Sequence, residues 1–422
     1  MKRVVVTGMG AVTPVGNTTE ETWDALVRGH SGAGPITVMD ASGFPVRIAA
    51  EVADFDFDQA LPKSRDHRFL ERAGQFGVAS AYQALREAGL ERPHYAPDDC
   101  GVAMGHSVGR PTPRRILEIA RARKETGNAE ACVRQSPSEA LRSSPNTASN
   151  AIARLVPAVG PMVSISTACS GSGHSIGEAF RLIQEGDVRM MVAGGFDSLT
   201  TWIDLLGFSL LGALTTEYNE EPHRASRPFD SDRSGFLLGE GGVALVLEER
   251  NSAIERGAEV LAEVVGYSST LNAWRITDSP PDGAGAVEVM QEAVAESGLG
   301  SDAFDLVVAH GTSTPGNDKS ETVAIRKAFG PRADHLMVTG PKSMVGHLTS
   351  GSAALGALVA IGSIRSSMVP PTLNLENPDP ACDLDYVPVR ARQTPVRAAL
   401  VNAFAFGGTN TCLAFAAPEG TR

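Results

Sequence analysis

The 422-residue chain predicts an α/β architecture with largely parallel strands. Apolar runs that suit buried strands recur along it, most of them stop at a glycine, and stretches of helical period separate several of them. The first run, "RVVVTGMG", continues into "AVTPVG". It reads G-x-G-x-x-T, lacks a third glycine and meets a proline where a dinucleotide-binding helix would begin. A first strand with a tight turn is therefore expected, not a nucleotide site. "TTEETWDALVRG" and "FGVASAYQALREAG" follow as helices, then "CGVAMGHSVG" and "PMVSIS" as strands. "GEAFRLIQEG" is helical, and "MMVAGGFDS", "GGVALVLEE" and "LAEVVGYSS" are strands. Beyond them, the helices "GAGAVEVMQEAVAESG" and "ETVAIRKAFG" alternate with the strands "LVVAHGTST", "LMVTGPKS" and "AALVNAFAFGG". No Pro/Ser linker interrupts this series. The charged stretch "LVLEERNSAIERGAE" is the best seam, dividing the chain into 1–254 and 255–422, and both parts carry strand-to-loop units ending in small residues.

Composition narrows the function. A net charge of −12 argues against nucleic acid or an anionic membrane as the main partner. Cys100, Cys132, Cys169, Cys382 and Cys412 lie far apart without a C-x-x-C pair. That is neither a disulfide framework nor a zinc site, and it suits a reducing cytoplasm. The apolar run at the start is too short for a signal peptide, and no stretch approaches the roughly 18 apolar residues of a membrane span.

One short stretch, "STACSGSGHSIG", sets Cys169 between a strand and a helix. A helix N-terminus aimed at a thiol favours the thiolate, so a lowered pKa is expected there. Taken alone, Cys169 reads equally well as a buried core thiol. Three other glycine-flanked strand ends carry reactive groups. "VVAHGTSTPGNDKSE" presents His310, "VTGPKSMVGHL" presents Lys342 and His347, and "VNAFAFGGTN" presents Phe406 before two glycines. A single strand-end histidine is often structural. Two histidines, a lysine and a cysteine at such ends fit packing poorly, because strand carboxyl ends are where open α/β sheets build sites. A hydrolase triad would want an acid behind one histidine. Two imidazoles and a lysine facing one thiol suit acyl transfer followed by stabilisation of a carbanion.

With these motifs in hand, the chain resembles the β-ketoacyl-[acyl-carrier-protein] synthases of the thiolase superfamily. It is nearest the elongating type II condensing enzymes and the ketosynthase subunits of type II polyketide synthases. The likeness runs from "VVVTGMGAVTPVG" to "NAFAFGGTN", with "TAC", "SRPFDSDRSGFLLGEG", "HGTSTPGNDK" and "KSMVGHL" in order. It implies a thiolase fold, a duplicated five-layer αβαβα architecture. It further implies a decarboxylative Claisen condensation between an acyl chain on Cys169 and malonyl-acyl-carrier-protein, in fatty-acid or polyketide elongation.

The resemblance gives His310 and His347 the enolate oxygen and Lys342 the local field. The backbone N–H groups of Cys169 and Phe406 would form the oxyanion hole. Thr312, Thr314 and Thr277 would meet the phosphopantetheine arm, and Phe406, Phe208 and Val108 the acyl pocket. For Phe208 and Val108, core packing serves as well. No cofactor or metal is implied, since substrates arrive on the phosphopantetheine of the carrier. Arg65 and Arg68 in "KSRDHRFLER" match the carrier-docking positions, against a reading as a solvated helix face. A dimer is expected through "PMVSIS", with an identical chain or a chain-length-factor homologue.

The chain departs from the family in three places. Gly356 stands where a buried glutamate is expected, an acid thought to anchor Lys342 or a nearby cation. "CSGSGH" reorders the small residues after the nucleophile, and "NAWRIT" puts Trp274 and Arg275 where an aromatic–histidine pair is common. These differences fit a specialised secondary-metabolism ketosynthase better than a housekeeping one. A non-catalytic chain-length-factor-like subunit would lack Cys169. A biosynthetic thiolase would need a second catalytic cysteine, which neither Cys382 nor Cys412 supplies.

Overall fold

A computed structural model describes residues 1–107, 109, 113–128, 137–142, 144 and 146–419. Val108 and Cys132 lie outside the described residues. Ten strands form one continuous sheet. In chain order they are β1 (Val4–Val12), β2 (Cys100–Gly105), β3 (Met162–Ile165), β4 (Met190–Ser198), β5 (Glu240–Glu249), β6 (Ala262–Leu271), β7 (Leu306–Val308), β8 (Met337–Thr339), β9 (Ala398–Phe404) and β10 (Thr409–Ala416).

Their spatial order, β8-β7-β9-β10-β6-β1-β5-β4-β2-β3, contains the same five-strand pattern twice. In the first half β1 pairs antiparallel with β5 and β5 with β4, while β4–β2 and β2–β3 are parallel. In the second half β6–β10 and β10–β9 are antiparallel, while β9–β7 and β7–β8 are parallel. β1 and β6 join the halves in antiparallel register. The expectation of largely parallel strands is corrected here. Strands buried on both faces are apolar throughout whichever way they run, so polarity leaves no mark on their pattern.

Six helices complete the layers: α1 (Arg72–Glu87), α2 (Asn146–Leu155), α3 (Gly171–Glu185), α4 (Ala286–Ser297), α5 (Pro315–Phe329) and α6 (Ser352–Ser366). α1 and α2 cover the outer face of the first half, where Phe76, Ile152 and Phe196 share a core. α3 and α6 lie between the halves, with Ile176, Phe180 and Leu358 in the largest core. α4 and α5 close the far side over Met290, Phe304 and Ile325. The result is five layers, αβαβα. α6, "SAALGALVAIGSIRS", is apolar nearly all round up to its last turn, as a helix between the two halves of the sheet must be. Among the described residues no helix is long and apolar enough to cross a membrane.

Two details differ from the sequence reading. "KSRDHRFLER" is not one helix, but a short 3₁₀ turn (Arg65–Phe69) with α1 starting at Arg72. Arg72 also turns away from the other basic residues, to the buried carboxylate of Glu240. β3 is an edge strand paired only with β2, and its residues alternate between exposed and half-buried, with Met162 45% exposed. The chain by itself leaves this apolar run uncovered on one edge.

Candidate active site

The strand ends of the two halves converge on one cavity of about 330 Å³. Cys169 reaches it through a sharp bend. The chain leaves β3, passes Ala168 at a φ of 48°, makes one 3₁₀ turn over Ala168–Ser170 and enters α3 at Gly171. A left-handed alanine is strained, because its Cβ crowds the following carbonyl. The bend nevertheless sets the thiol at the helix start. His310 follows β7, Lys342 and His347 follow β8, and Phe406 sits between β9 and β10.

The structure brings together Cys169, His310, His347, Thr312, Thr314, Thr277, Phe208 and Phe406, all lining that cavity. His347 Nε2 lies 3.1 Å from Cys169 Sγ. One ring nitrogen of each histidine and the sulfur lie within 4.8 Å of one another.

Hydrogen bonding fixes which nitrogen carries the proton. His347 Nδ1 accepts from the Thr349 backbone N–H at 3.2 Å, so its proton is on Nε2, facing the sulfur. Ser352 Oγ, 2.9 Å away, also donates to Nδ1. His310 Nδ1 has Lys342 Nζ 3.5 Å away, and an ammonium can only donate, so Nε2 again holds the proton. Lys342 also donates to the His310 carbonyl at 2.5 Å. It stands behind His310, outside the cavity lining.

Electrostatics follow from burial. Desolvation first, then the Lys342 charge, holds both imidazoles well below their usual pKa, so both are neutral at physiological pH. Desolvation also brings Lys342 down to about 8, against the opposing pull of Glu321. The thiol behaves contrary to expectation. Burial pushes Cys169 up to about 11 and outweighs the Lys342 charge and the backbone N–H groups of Phe406 and Cys169 that hydrogen-bond to the sulfur. At rest Cys169 is therefore a thiol. The same two N–H groups are the ones the resemblance assigns to the oxyanion hole.

Cys169, His310 and His347 are the one metal-ligand-like cluster among the described residues. Their geometry suits an anionic oxygen better than a cation, since His347 presents Nε2–H to the sulfur, a His310 ring nitrogen lies within 4.8 Å of it, and an ammonium stands behind His310.

Sequence reasoning missed the residues beneath the site. Glu321 on α5 accepts the backbone N–H groups of His310 and Gly311, each at 2.8 Å. Asp318, one turn earlier, accepts Thr312 N–H at 3.1 Å and Phe229 N–H at 2.9 Å, and faces Arg233 at 3.5 Å. Asp197 accepts from Ser107 Oγ and from Thr349, tying the loop after His347 to β4. The available signal was "NDKSE", two acids at helical spacing directly after a strand-end loop, and the charges inside "SRPFDSDRSGF". Arg65 and Arg68 are exposed on the 3₁₀ turn, away from the cavity lining.

Comparison with known proteins agrees over the whole chain. Residues 1–253 match the beta-ketoacyl synthase N-terminal domain and residues 261–376 its C-terminal domain. A 3-oxoacyl-[acyl-carrier-protein] synthase 2 of Synechocystis is 42% identical over 98% of both chains, and one of Coxiella burnetii is 39% identical with the same coverage. Among solved structures, a beta-ketoacyl synthase from Burkholderia phymatum superposes with a TM-score of 0.89 at 33% identity, covering 99% of this chain and 100% of that one. The ishigamide ketosynthase/chain length factor gives 0.88 at 33% identity, with the same coverage.

Proposed function

The chain belongs to the beta-ketoacyl synthase family, and from that premise we propose that it elongates acyl chains by decarboxylative condensation, with Cys169 as the acyl acceptor. The observation that carries this reading is the convergence of two neutral imidazoles, each with its proton on Nε2, and one cysteine sulfur in a single cavity.

In the first half-reaction the Cys169 sulfur bonds to the acyl carbonyl, the bond from that carbonyl to the carrier sulfur breaks, and the proton lost by the Cys169 thiol ends on the departing carrier sulfur. Backbone N–H groups of Cys169 and Phe406 hold the tetrahedral oxyanion. In the second, malonyl-carrier enters with its thioester oxygen against His310 and His347. The Cα–carboxylate bond breaks, carbon dioxide leaves, and the electron pair passes into an enolate whose oxygen accepts both N–H groups. Lys342 supplies nearby positive charge and keeps the His310 proton on Nε2. The enolate carbon then bonds to the acyl carbonyl, and collapse of that adduct expels Cys169, which regains a proton. Thr277, Thr312 and Thr314 guide the phosphopantetheine arm, and Phe208 and Phe406 border the acyl chain.

The carrier is an acyl carrier protein, named in the relatives' own titles, and Arg65 and Arg68 dock it. Pairing of the open edge of β3 with a second ketosynthase-like chain makes the dimer. A non-catalytic subunit is disfavoured by the intact Cys169, His310 and His347 cluster.

Separating the half-reactions tests these roles. Cys169→Gln should abolish acyl loading and leave malonyl-carrier decarboxylation intact or raised. His310→Ala should reduce decarboxylation by about 100- to 1000-fold, the typical loss for one oxyanion donor, and spare acylation of Cys169. If His310→Ala blocks loading instead and spares decarboxylation, His310 is a base for the thiol and the assignment fails.

A further inference from the structure

The resemblance places a buried glutamate at position 356, where it would anchor Lys342 or a cation beside it. The surroundings of Gly356 do not fit that group. A Cβ built there meets Val401 Cγ1 at 2.5 Å, Val308 Cγ1 at 3.6 Å and Val401 Cβ at 3.8 Å, all carbon. Val308 is 1% exposed and Val401 2%, and the flanking Leu355 and Ala357 are equally enclosed. All four belong to the core between the sheets.

Hard cations take about six to eight oxygen ligands. The Glu321 oxygens and the His310 carbonyl are already committed. Glu321 spends one oxygen on His310 N–H and Asn402 Nδ2, and the other on Gly311 N–H. The His310 carbonyl is taken by Lys342. Asn402 Oδ1 is buried without a partner, and one orphaned oxygen does not make a coordination shell.

We propose that Val308, Gly356 and Val401 form an apolar plug in place of a cation site, so that among the described residues the Lys342 ammonium is the resident positive charge beside His310 and this enzyme works without a bound cation. Val401 Cγ1 occupies the space that a side chain at position 356 would need, and Val308 closes the other side. Anchoring passes to the His310 carbonyl, which Lys342 grips directly, and to Glu321, the first of the charges that favour the ammonium.

The plug itself stands on packing alone; its bearing on turnover rests on the condensing activity proposed above. The test measures melting temperature and condensation rate of the wild-type protein after chelation and exchange of sodium and potassium for tetramethylammonium. Both should change by less than about twofold in rate and a degree or two in melting, as expected when no ligand binds the native state. Gly356→Glu should be strongly destabilised or insoluble. Gly356→Glu combined with Val401→Ala, which opens the space, should fold and should melt higher than Gly356→Glu alone. A wild-type protein that loses stability or rate on exchange and recovers it when a cation is restored would overturn the proposal. So would a double variant no more stable than Gly356→Glu alone, since Val401 would then not be what closes position 356. If the wild-type protein condenses substrates but needs a cation, only this inference falls, because condensation itself is then in hand.

Discussion

His310, His347 and Lys342 each enter the fold against their preferred charge state, and pH exposes that. An unfolded histidine takes up a proton near pH 6.5, whereas the buried imidazoles refuse it until far lower. Below pH 6.5 the unfolded chain therefore binds more protons, and stability falls as pH drops, by about 1.4 kcal/mol per pH unit for each histidine. Lys342 works on the other flank. Its folded pKa is about 8 against 10.5 for the free side chain, so between those values the unfolded chain holds a proton the folded one has released. Stability gains from Lys342 as pH rises through that window, while decarboxylation falls because the charge behind His310 disappears. Between pH 8 and 9 the rate and the Lys342 share of stability should thus move in opposite directions. That share is read as the difference between wild type and Lys342→Met, and the window stops at pH 9 because above it the raised Cys169 thiol works against the gain. A wild-type decarboxylation rate that stays level through this window would refute the role given to Lys342. The reactive residues themselves were legible because each interrupts a glycine-bounded strand end, where packing has little use for charge. Glu321 and Asp318 were not, since their work is to accept backbone N–H groups of a loop whose path appears only in three dimensions.

At the scale of elements, the nucleophile depends on how closely α3 approaches β2. A methyl group on Gly105 would overlap the backbone of Gly171, the first residue of α3. Gly105→Ala should push α3 outward, carry Cys169 away from His347 and reduce acyl loading by about 100-fold, the scale expected of an ångström-level displacement at a reacting centre. Alkylation of Cys169 by a small reagent should persist, which separates misplacement from unfolding. Loading at the wild-type rate would show that the glycine is dispensable. Most strands and helices were visible in the sequence from periodicity and glycine stops. Strand polarity was not, because Val, Ile, Leu and Ala serve parallel and antiparallel strands alike when both faces are covered. Nor was the use of Gly356, whose meaning depends on Val401, a residue 45 positions later brought against it by the fold.

For the whole molecule, duplication explains why chemistry from distant parts of the chain meets. Cys169 comes from the first half; His310, Lys342 and His347 come from the second, and the repeated strand pattern brings their ends to one cavity. The sequence hinted at this only through recurring small-residue strand ends, since the two halves share topology far more visibly than residues. Charge at this scale also sets partner binding. The molecule carries −12, so an acidic carrier is repelled at long range unless a local patch of opposite sign receives it. We propose that the exposed Arg65 and Arg68 supply that sign. Reversing both to glutamate should raise KM for carrier-bound substrate by about tenfold or more, in a salt-dependent manner, with little effect on an N-acetylcysteamine thioester. Equal effects on both substrates would remove the docking role.

The left-handed alanine before the nucleophile has company: Ser313 (φ 66°) stands between Thr312 and Thr314, and Thr349 (φ 45°) lies two residues after His347. Each such backbone costs on the order of 1–3 kcal/mol, and the surrounding fold holds it in place. Heat tolerance and turnover are thereby set against each other in the same few residues. Selection for survival at high temperature would favour glycine at position 168, relaxing the bend and with it the aim of Cys169. Selection for turnover would keep the strained alanine and leave the protein less robust to heat than its large core alone would permit.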